Sequence, residues 1–308
     1  MIRLNILIIG AGALGVYFGG RLVEQGENVT FLVRKNRYKQ IKEHGLVINS
    51  IKGDYTLENP RIILDPNEIE DCDLVVLSVK GYQLEETFPQ LIKLVNQGAK
   101  ILPLLNGIEH IHRLQKEFGE ETVLGGLAFI IATLNDKGHV VHSSPSHDLI
   151  FGPLHAKQRA ICNTFNKTAE NANMNAHMSE DILLDLWKKY MFITAFSGIT
   201  TAVNLPIGPI RQHKSTFQLV EKVLNEMKAL ANSYDIAITS EDVQKALHQF
   251  EHLPDEATSS MHQDRRKGLT LEVEHLQGGA LRLAKRKNIH LPVTKTLYAV
   301  IKPFENVQ

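Results

Sequence analysis

The sequence predicts an α/β fold: a doubly wound parallel sheet in the N-terminal half, followed by an all-α domain. Three observations predict it. Short branched apolar runs alternate with helical patterns through the first half, which implies parallel strands joined by crossover helices on both faces. Past Ser179 the strand runs stop and long helical patterns take over. A length of 308 residues suits two domains, placed here at 1–178 and 179–308.

The elements follow in order. Leu4 to Ile9 has the length and branching of a buried strand, and Val16, Phe18, Gly19, Leu22 and Val23 fit the inward face of a helix after it. Asn28 to Val33 is a second strand. Leu74 to Val79 is a third, entered through Asp71-Cys72-Asp73, and Lys100 to Leu105 a fourth, closing on Asn106-Gly107. Pro103 weakens that run as a central strand, because proline cannot donate to the ladder. Leu84 to Val95 reads as a crossover helix; Val123 to Ile131, Val140-Val141 and Leu149 to Gly152 read as further strands. In the second half, Glu180 to Phe196 is helical with Ser179 as N-cap. Phe217 to Tyr234, a segment opening at Ser240-Glu241-Asp242, and Leu269 to Arg286 follow. Pro206 to Pro209 breaks the helical run, and Pro292-Val293-Thr294 opens a last short helix.

Between the first strand and helix stand Gly10, Ala11, Gly12, Ala13, Leu14 and Gly15, a G-x-G-x-x-G sequence. In this strand–turn–helix context it signals dinucleotide binding in a Rossmann-type domain. Gly10 permits the sharp turn, Gly12 lets backbone approach a pyrophosphate, and Gly15 lets helix and strand pack closely. Helix-start N–H groups then face the phosphates. An NAD site usually carries Asp or Glu at the end of the second strand. Here Val33 and Arg34 stand there, followed by Lys35 and Arg37. A guanidinium pairs with a 2′-phosphate in a fork geometry, so NADP is expected. The bland alternative is a solvated basic turn.

Composition narrows the classes. Thirty-four basic residues balance thirty-four acidic ones, which argues against a nucleic-acid or anionic-membrane binder. Cys72 and Cys162 are too far apart in sequence for a metal-ligand pattern and read as reduced thiols of a cytoplasmic protein. No run approaches a membrane span, and the N-terminus reads as a strand rather than a signal peptide. His110 and His112, or His139, His142 and His147, lack zinc-site spacing and are taken as surface or polar residues, so no metal is expected.

Lys80 and Asn106 end the third and fourth strands, where a dinucleotide crevice opens. In the helical half, Trp187-Lys188-Lys189-Tyr190 interrupts an apolar helix. A lysine leaning inward there would protonate a carbonyl oxygen as hydride reaches carbon, whereas pattern alone makes both lysines surface residues. Ser259-Ser260-Met261-His262-Gln263-Asp264 and Glu272 read, by themselves, as a helix surface.

Together these motifs resemble the ketopantoate reductase (2-dehydropantoate 2-reductase) family over essentially the whole chain. The resemblance rests on the glycine motif, Arg34, Ser78-Val79-Lys80, Asn106-Gly107, Trp187-Lys188-Lys189, the Ser259 to Asp264 cluster and Glu272. It implies reduction of ketopantoate to pantoate with NADPH, on the way to pantothenate and coenzyme A. It implies Lys189 as general acid with Lys188 its outward neighbour, and Glu272 near cofactor and substrate hydroxyl. Ser260 would hold the substrate carboxylate, and Lys80 and Asn106 the cofactor, Asn106 also touching substrate. Domain closure would complete the site. Where the family carries asparagines four, eight and eighteen residues past the lysine, this chain has Ile193, Ser197 and Ile207. Ser197 stays a substrate candidate. The departure admits a different branched 2-oxo acid as substrate, and a non-catalytic NADP sensor is the competing class. A homodimer is a possible assembly.

Overall fold

The computed structural model describes residues 3–306. The chain divides into two compact units, residues 1–105 with 110–182, and residues 106–109 with 183–308.

The first unit contains β1 (Asn5–Ile9), α1 (Ala13–Glu24), β2 (Asn28–Leu32), α2 (Lys35–His44), β3 (Leu46–Ser50), β4 (Tyr55–Leu57) and β5 (Arg61–Ile63). β6 (Leu74–Leu77), α3 (Phe88–Asn96), β7 (Lys100–Pro103) and α4 (Glu109–Phe118, from His110 on) follow, then β8 (Gly125–Leu134), β9 (Val140–Gly152), α5 (Arg159–Ala169) and β10 (Asn175–Met178). The first sheet runs β5-β2-β1-β6-β7 and is parallel throughout. β1 is apolar at every position after Asn5 because both its faces are covered. Ile6 and Ile8 pack in the cluster of α1, while Leu7 and Ile9 pack in that of α3 and α4. β7 ends the order of this sheet, which accommodates Pro103.

A second sheet runs β10-β9-β3-β4, with β8 pairing antiparallel to β9. Val140 to Gly152 is thus one long strand, where the sequence suggested two short ones. α1 contacts strands of both sheets, so it is buried all round from Gly15 to Leu22 rather than on one face. A Cβ on Gly20 would lie 2.6 Å from Ile48 Cδ1, and one on Gly19 2.8 Å from Phe31. The crossover helix expected at 84–95 opens as a short 3₁₀ turn at Glu85–Thr87 and continues as α3.

The histidines correct the surface reading. His142 and His147 are buried, with stacked rings. Tyr17 Oη and His147 Nδ1 are 2.8 Å apart, as are Ser50 Oγ and His142 Nδ1. Burial lowers both imidazole pKa values, favouring the neutral rings. Among the described residues no group of three or more His, Cys, Asp or Glu is placed to hold a metal. No helix among them is long and apolar enough to cross a membrane.

The second unit is helical: α6 (Ile182–Val203, from Leu183 on), α7 (Ile207–Gln212), α8 (Lys214–Asn232), α9 (Ser240–His252), α10 (Ser260–Arg266), α11 (Gln277–Lys287) and α12 (Pro292–Ile301). α8 buries Val220, Val223, Leu224, Met227, Leu230 and Ala231, an amphipathic spacing. Glu226 on α8 accepts the backbone N–H groups of Val293 and Thr294 at 2.7 and 2.9 Å, capping α12. α6 begins three residues after Ser179, whose N–H is given to Phe151 O of β9. It continues past Phe196 to Val203 and stops at Asn204, in the left-handed region at φ 56°. The helix expected over 269–286 is α11 alone. Leu271 N–H is taken by Glu305 O, and residues 273–276 form a turn in which Glu272 O accepts from His275 and Leu276.

Candidate active site

In the first unit the turn between β1 and α1 is built by backbone proximity. Ser78 N–H donates to Ile9 O at 2.8 Å and Ser78 Oγ donates to Gly10 O at 2.8 Å, drawing the end of β6 against the turn. Gly10 sits at φ +104°, and a Cβ there would lie 2.7 Å from the Ser78 carbonyl. A Cβ on Gly15 would overlap Gly10 O and Ser78 Oγ. Gly12 differs: it is the N-cap of α1, no side chain caps it, and a Cβ there would meet nothing within 4 Å. That leaves a cradle, faced by helix-start N–H groups, of the kind that takes a pyrophosphate. A dinucleotide fits the residues present. Ala11, Ala13 and Leu14 complete the turn and first helical residues.

Arg34 lies just before α2, is largely exposed and pairs with Glu86 at 2.6 Å. Arg37, grouped with it by sequence, is structural. Its Nε donates to Ala11 O at 2.9 Å and its Nη2 to Gly138 O at 2.9 Å, bracing the glycine turn. Lys80 is half-buried and opens the 3₁₀ turn after β6. A separate cavity of about 280 Å³, lined by Asn5, Asn28, Arg61 and Asp71 among others, includes the first residues of β1, β2 and β5. It lies at the strand ends opposite the glycine turn.

In the second unit Lys189 of α6 is buried. Burial lowers its ammonium pKa to about 8, opposed by the charge of Glu272, which is buried in the 269–276 segment. The structure brings these two together from distant parts of the sequence. Lys188 points elsewhere and pairs with Asp242 at 2.8 Å. Burial raises the Asp242 carboxyl, but hydrogen bonds from Lys188 and Thr239 outweigh it and hold the pKa at about 2. Asn106 is half-buried in the 106–109 segment of this unit, beyond the end of β7.

Beyond Lys189, Ile193 is partly exposed one turn along α6, Ser197 is buried and Ile207 is fully buried. Ser259 and Ser260 have divided tasks. Ser259 caps α10, accepting from His262 N–H, and lies 2.9 Å from Thr200 Oγ1. Ser260 is exposed. Asn204 lies 3.1 Å from His262 Nε2. Thr200 and Asn204 therefore tie α6 to α10, whereas Thr194 and Thr201 carry buried hydroxyls with no hydrogen-bond partner. Sequence reading missed Glu109, Glu274 and Arg282, and placed Tyr190 only as part of the interrupted helix. Tyr190 Oη donates to Leu276 O at 2.6 Å. Arg282 forks onto Glu109 and also takes Glu274. No local pattern marks these contacts.

A nucleotide cradle in an α/β unit, joined in sequence to a helical unit holding a buried lysine near a carboxylate, defines a Rossmann-type oxidoreductase. The chain belongs to the ketopantoate reductase PanE/ApbA family, whose model matches residues 6–156 and whose C-terminal model matches residues 181–305. It is 34% identical to the uncharacterized oxidoreductase YkpB of Bacillus subtilis, covering 98% of this chain and 99% of that one. The crystal structure of 2-dehydropantoate 2-reductase from Geobacter metallireducens superposes with a TM-score of 0.90 at 29% identity, covering 98% and 99% of the two chains. D-mandelate dehydrogenase, solved with NADH and anilino(oxo)acetate, shares the fold at a TM-score of 0.87 and 24% identity, over 97% and 98%.

Proposed function

We propose that this chain reduces 2-dehydropantoate to pantoate with NADPH, with residues 1–178 binding the dinucleotide and 179–308 carrying the catalytic groups. The single observation behind the reading is the buried Lys189 facing the charge of Glu272, with its pKa brought to about 8. Catalytic lysines are tuned toward neutrality in this way, so that the proton is held at working pH and still given up readily.

A bound reduced nicotinamide would supply the hydride. Gly10, Ala11, Gly12, Ala13, Leu14 and Gly15 would hold its pyrophosphate and Arg34 its 2′-phosphate, with Lys80 and Asn106 as further contacts. The Lys189 ammonium donates a hydrogen bond to the 2-oxo oxygen. It stabilises the negative charge that develops there and then gives up its Nζ proton to the alkoxide. Glu272 keeps that ammonium charged against burial, and stands near the cofactor and substrate hydroxyl. Ser260 and Ser197 are the candidate substrate contacts, Ser260 for the carboxylate.

A second reading, reduction of a different branched 2-oxo acid, is favoured by Ile193. It presents partly exposed aliphatic surface one turn from Lys189, where an amide would hydrogen-bond a hydroxylated substrate. One assay decides: NADPH oxidation with ketopantoate against a panel of branched 2-oxo acids. Preference for ketopantoate is expected. Preference for another acid moves the assignment to the second reading, and oxidation with none leaves an NADP-binding sensor.

A further inference from the structure

Resting on the Lys189–Glu272 reading, the structure assigns a further task to the turn at 273–276. Three segments of the helical unit converge on it. Tyr190, next to Lys189, gives its hydroxyl to Leu276 O at 2.6 Å. Gly107, next to Asn106, passes so close that a Cβ there would lie 2.8 Å from His275 O, at φ +87°. Arg282 of α11 clamps Glu109 through Nε and Nη2, at 3.1 and 2.7 Å from Oε2. The same guanidinium gives Nη1 to Glu274 Oε2 at 2.9 Å and Nη2 to Glu274 O at 2.7 Å. Lys189, Asn106 and Glu272 therefore each lie within three residues of a side chain or backbone fastened to this turn.

We propose that Arg282 is a positioning residue for the reductase site: by holding Glu109 to Glu274 it fixes the 106–109 segment and the 273–276 turn, and so sets Glu272 and Asn106 against Lys189. Glu274 is also held by Tyr298 and Lys302. The turn has other fastenings, and what Arg282 adds is the tie to Glu109. A bidentate guanidinium resists rotation in a way a point charge does not. With the guanidinium gone, the mostly buried Glu109 carboxylate keeps only the longer pairing with Arg286 at 3.7 Å among the ion pairs described, and its tie to Glu274 is lost.

The test uses the full chain as Arg282→Ala, Arg282→Lys and Lys189→Ala. The Lys189 ammonium is titrated by NMR of labelled lysine side chains, its signal assigned by loss in Lys189→Ala. Steady-state reduction, cofactor affinity and thermal unfolding are measured alongside. Loss of the clamp lets Glu272 drift from Lys189, so in Arg282→Ala the Lys189 pKa is expected to fall by about half a pH unit or more. Turnover should fall about tenfold or more, a larger loss than that in cofactor affinity, which most of the cofactor contacts, on the glycine turn, maintain. Arg282→Lys, keeping the charge without the fork, should recover part of both. A folded Arg282→Ala with wild-type Lys189 titration and turnover overturns the proposal. If Arg282→Ala does not fold, Glu109→Gln, which removes one end of the clamp, carries the same expectations and the same refuting result. Full turnover in Lys189→Ala would sink the site reading instead, and the NMR titration would still decide whether Arg282 governs the Lys189–Glu272 pairing.

Discussion

The β1–α1 turn and the 273–276 turn each adjoin candidate site residues, and they are made of opposite materials. The first is fixed by missing side chains. Gly10 and Gly15 let backbone reach where a Cβ would collide, and Gly12 leaves open space before helix N–H groups. The second is fixed by added side chains: a tyrosine hydroxyl from 86 positions away, and a forked guanidinium that ties the turn to a carboxylate 173 positions from that arginine. A cradle for a polyanion needs bare amides, which side chains would obstruct. A proton donor needs its ionisation set by burial and a neighbouring charge, which only side chains supply.

The largest expected effect breaks the helical side of this comparison. Lys189→Ala should lower kcat by about 10²–10⁴, with NADPH affinity near normal by fluorescence titration. Unimpaired turnover would remove the assignment. Reduction needs the ammonium, so the wild-type rate should hold below pH 8 and fall as pH rises through about 8. Glu272→Gln removes the charge that raises the lysine pKa, so its alkaline limb should move to lower pH.

The next pair tests the glycine side. Gly15→Ala forces a Cβ into backbone and should destabilise by about 1–3 kcal/mol or more in thermal unfolding. Gly12→Ala has room for its methyl and should melt near wild type while weakening NADPH binding. Wild-type affinity in Gly12→Ala would refute the cradle. A smaller change should follow Arg34→Ser. Losing charge-assisted hydrogen bonds worth about 1.5–3 kcal/mol should cost NADPH roughly ten- to hundredfold in affinity and leave NADH nearly unchanged. An equal loss for both cofactors would mean that Arg34 does not read the 2′-phosphate.

The smallest effect separates the two units by pH. Asp242, held at about 2 by Lys188 and Thr239, ionises lower when folded than the ordinary value of about 3.9. Its contribution, on the order of 1–2 kcal/mol, is complete above about pH 4 and is lost as pH falls toward 2. Acid unfolding of Asp242→Asn should lack that portion of the slope. The glycine turn, held by backbone and by Arg37, has no carboxylate to titrate there.

The fold and the glycine turn were largely legible because their signals are local. An apolar run, three glycines at fixed spacing and a basic residue after the second strand lie within the first 34 positions. The buried histidines of β9 and the all-round burial of α1 from Gly15 to Leu22 were not legible, because a second sheet covers one side of that helix. The helix expected over 269–286 failed for a related reason. Leu271 N–H is captured by Glu305 and the 273–276 turn by Tyr190, distant partners that outbid local helical pairing.

The sequence by itself determined the family, the parallel sheet, the dinucleotide turn and, through resemblance, the lysine to watch. Tertiary structure alone decided that Lys189 is buried near Glu272 while Lys188 faces Asp242, and that Arg37 braces the turn that Arg34 leaves free. Adjacent residues of one type are indistinguishable by composition. Which one loses its water, and which charge it then meets, depends on packing between segments far apart in the chain.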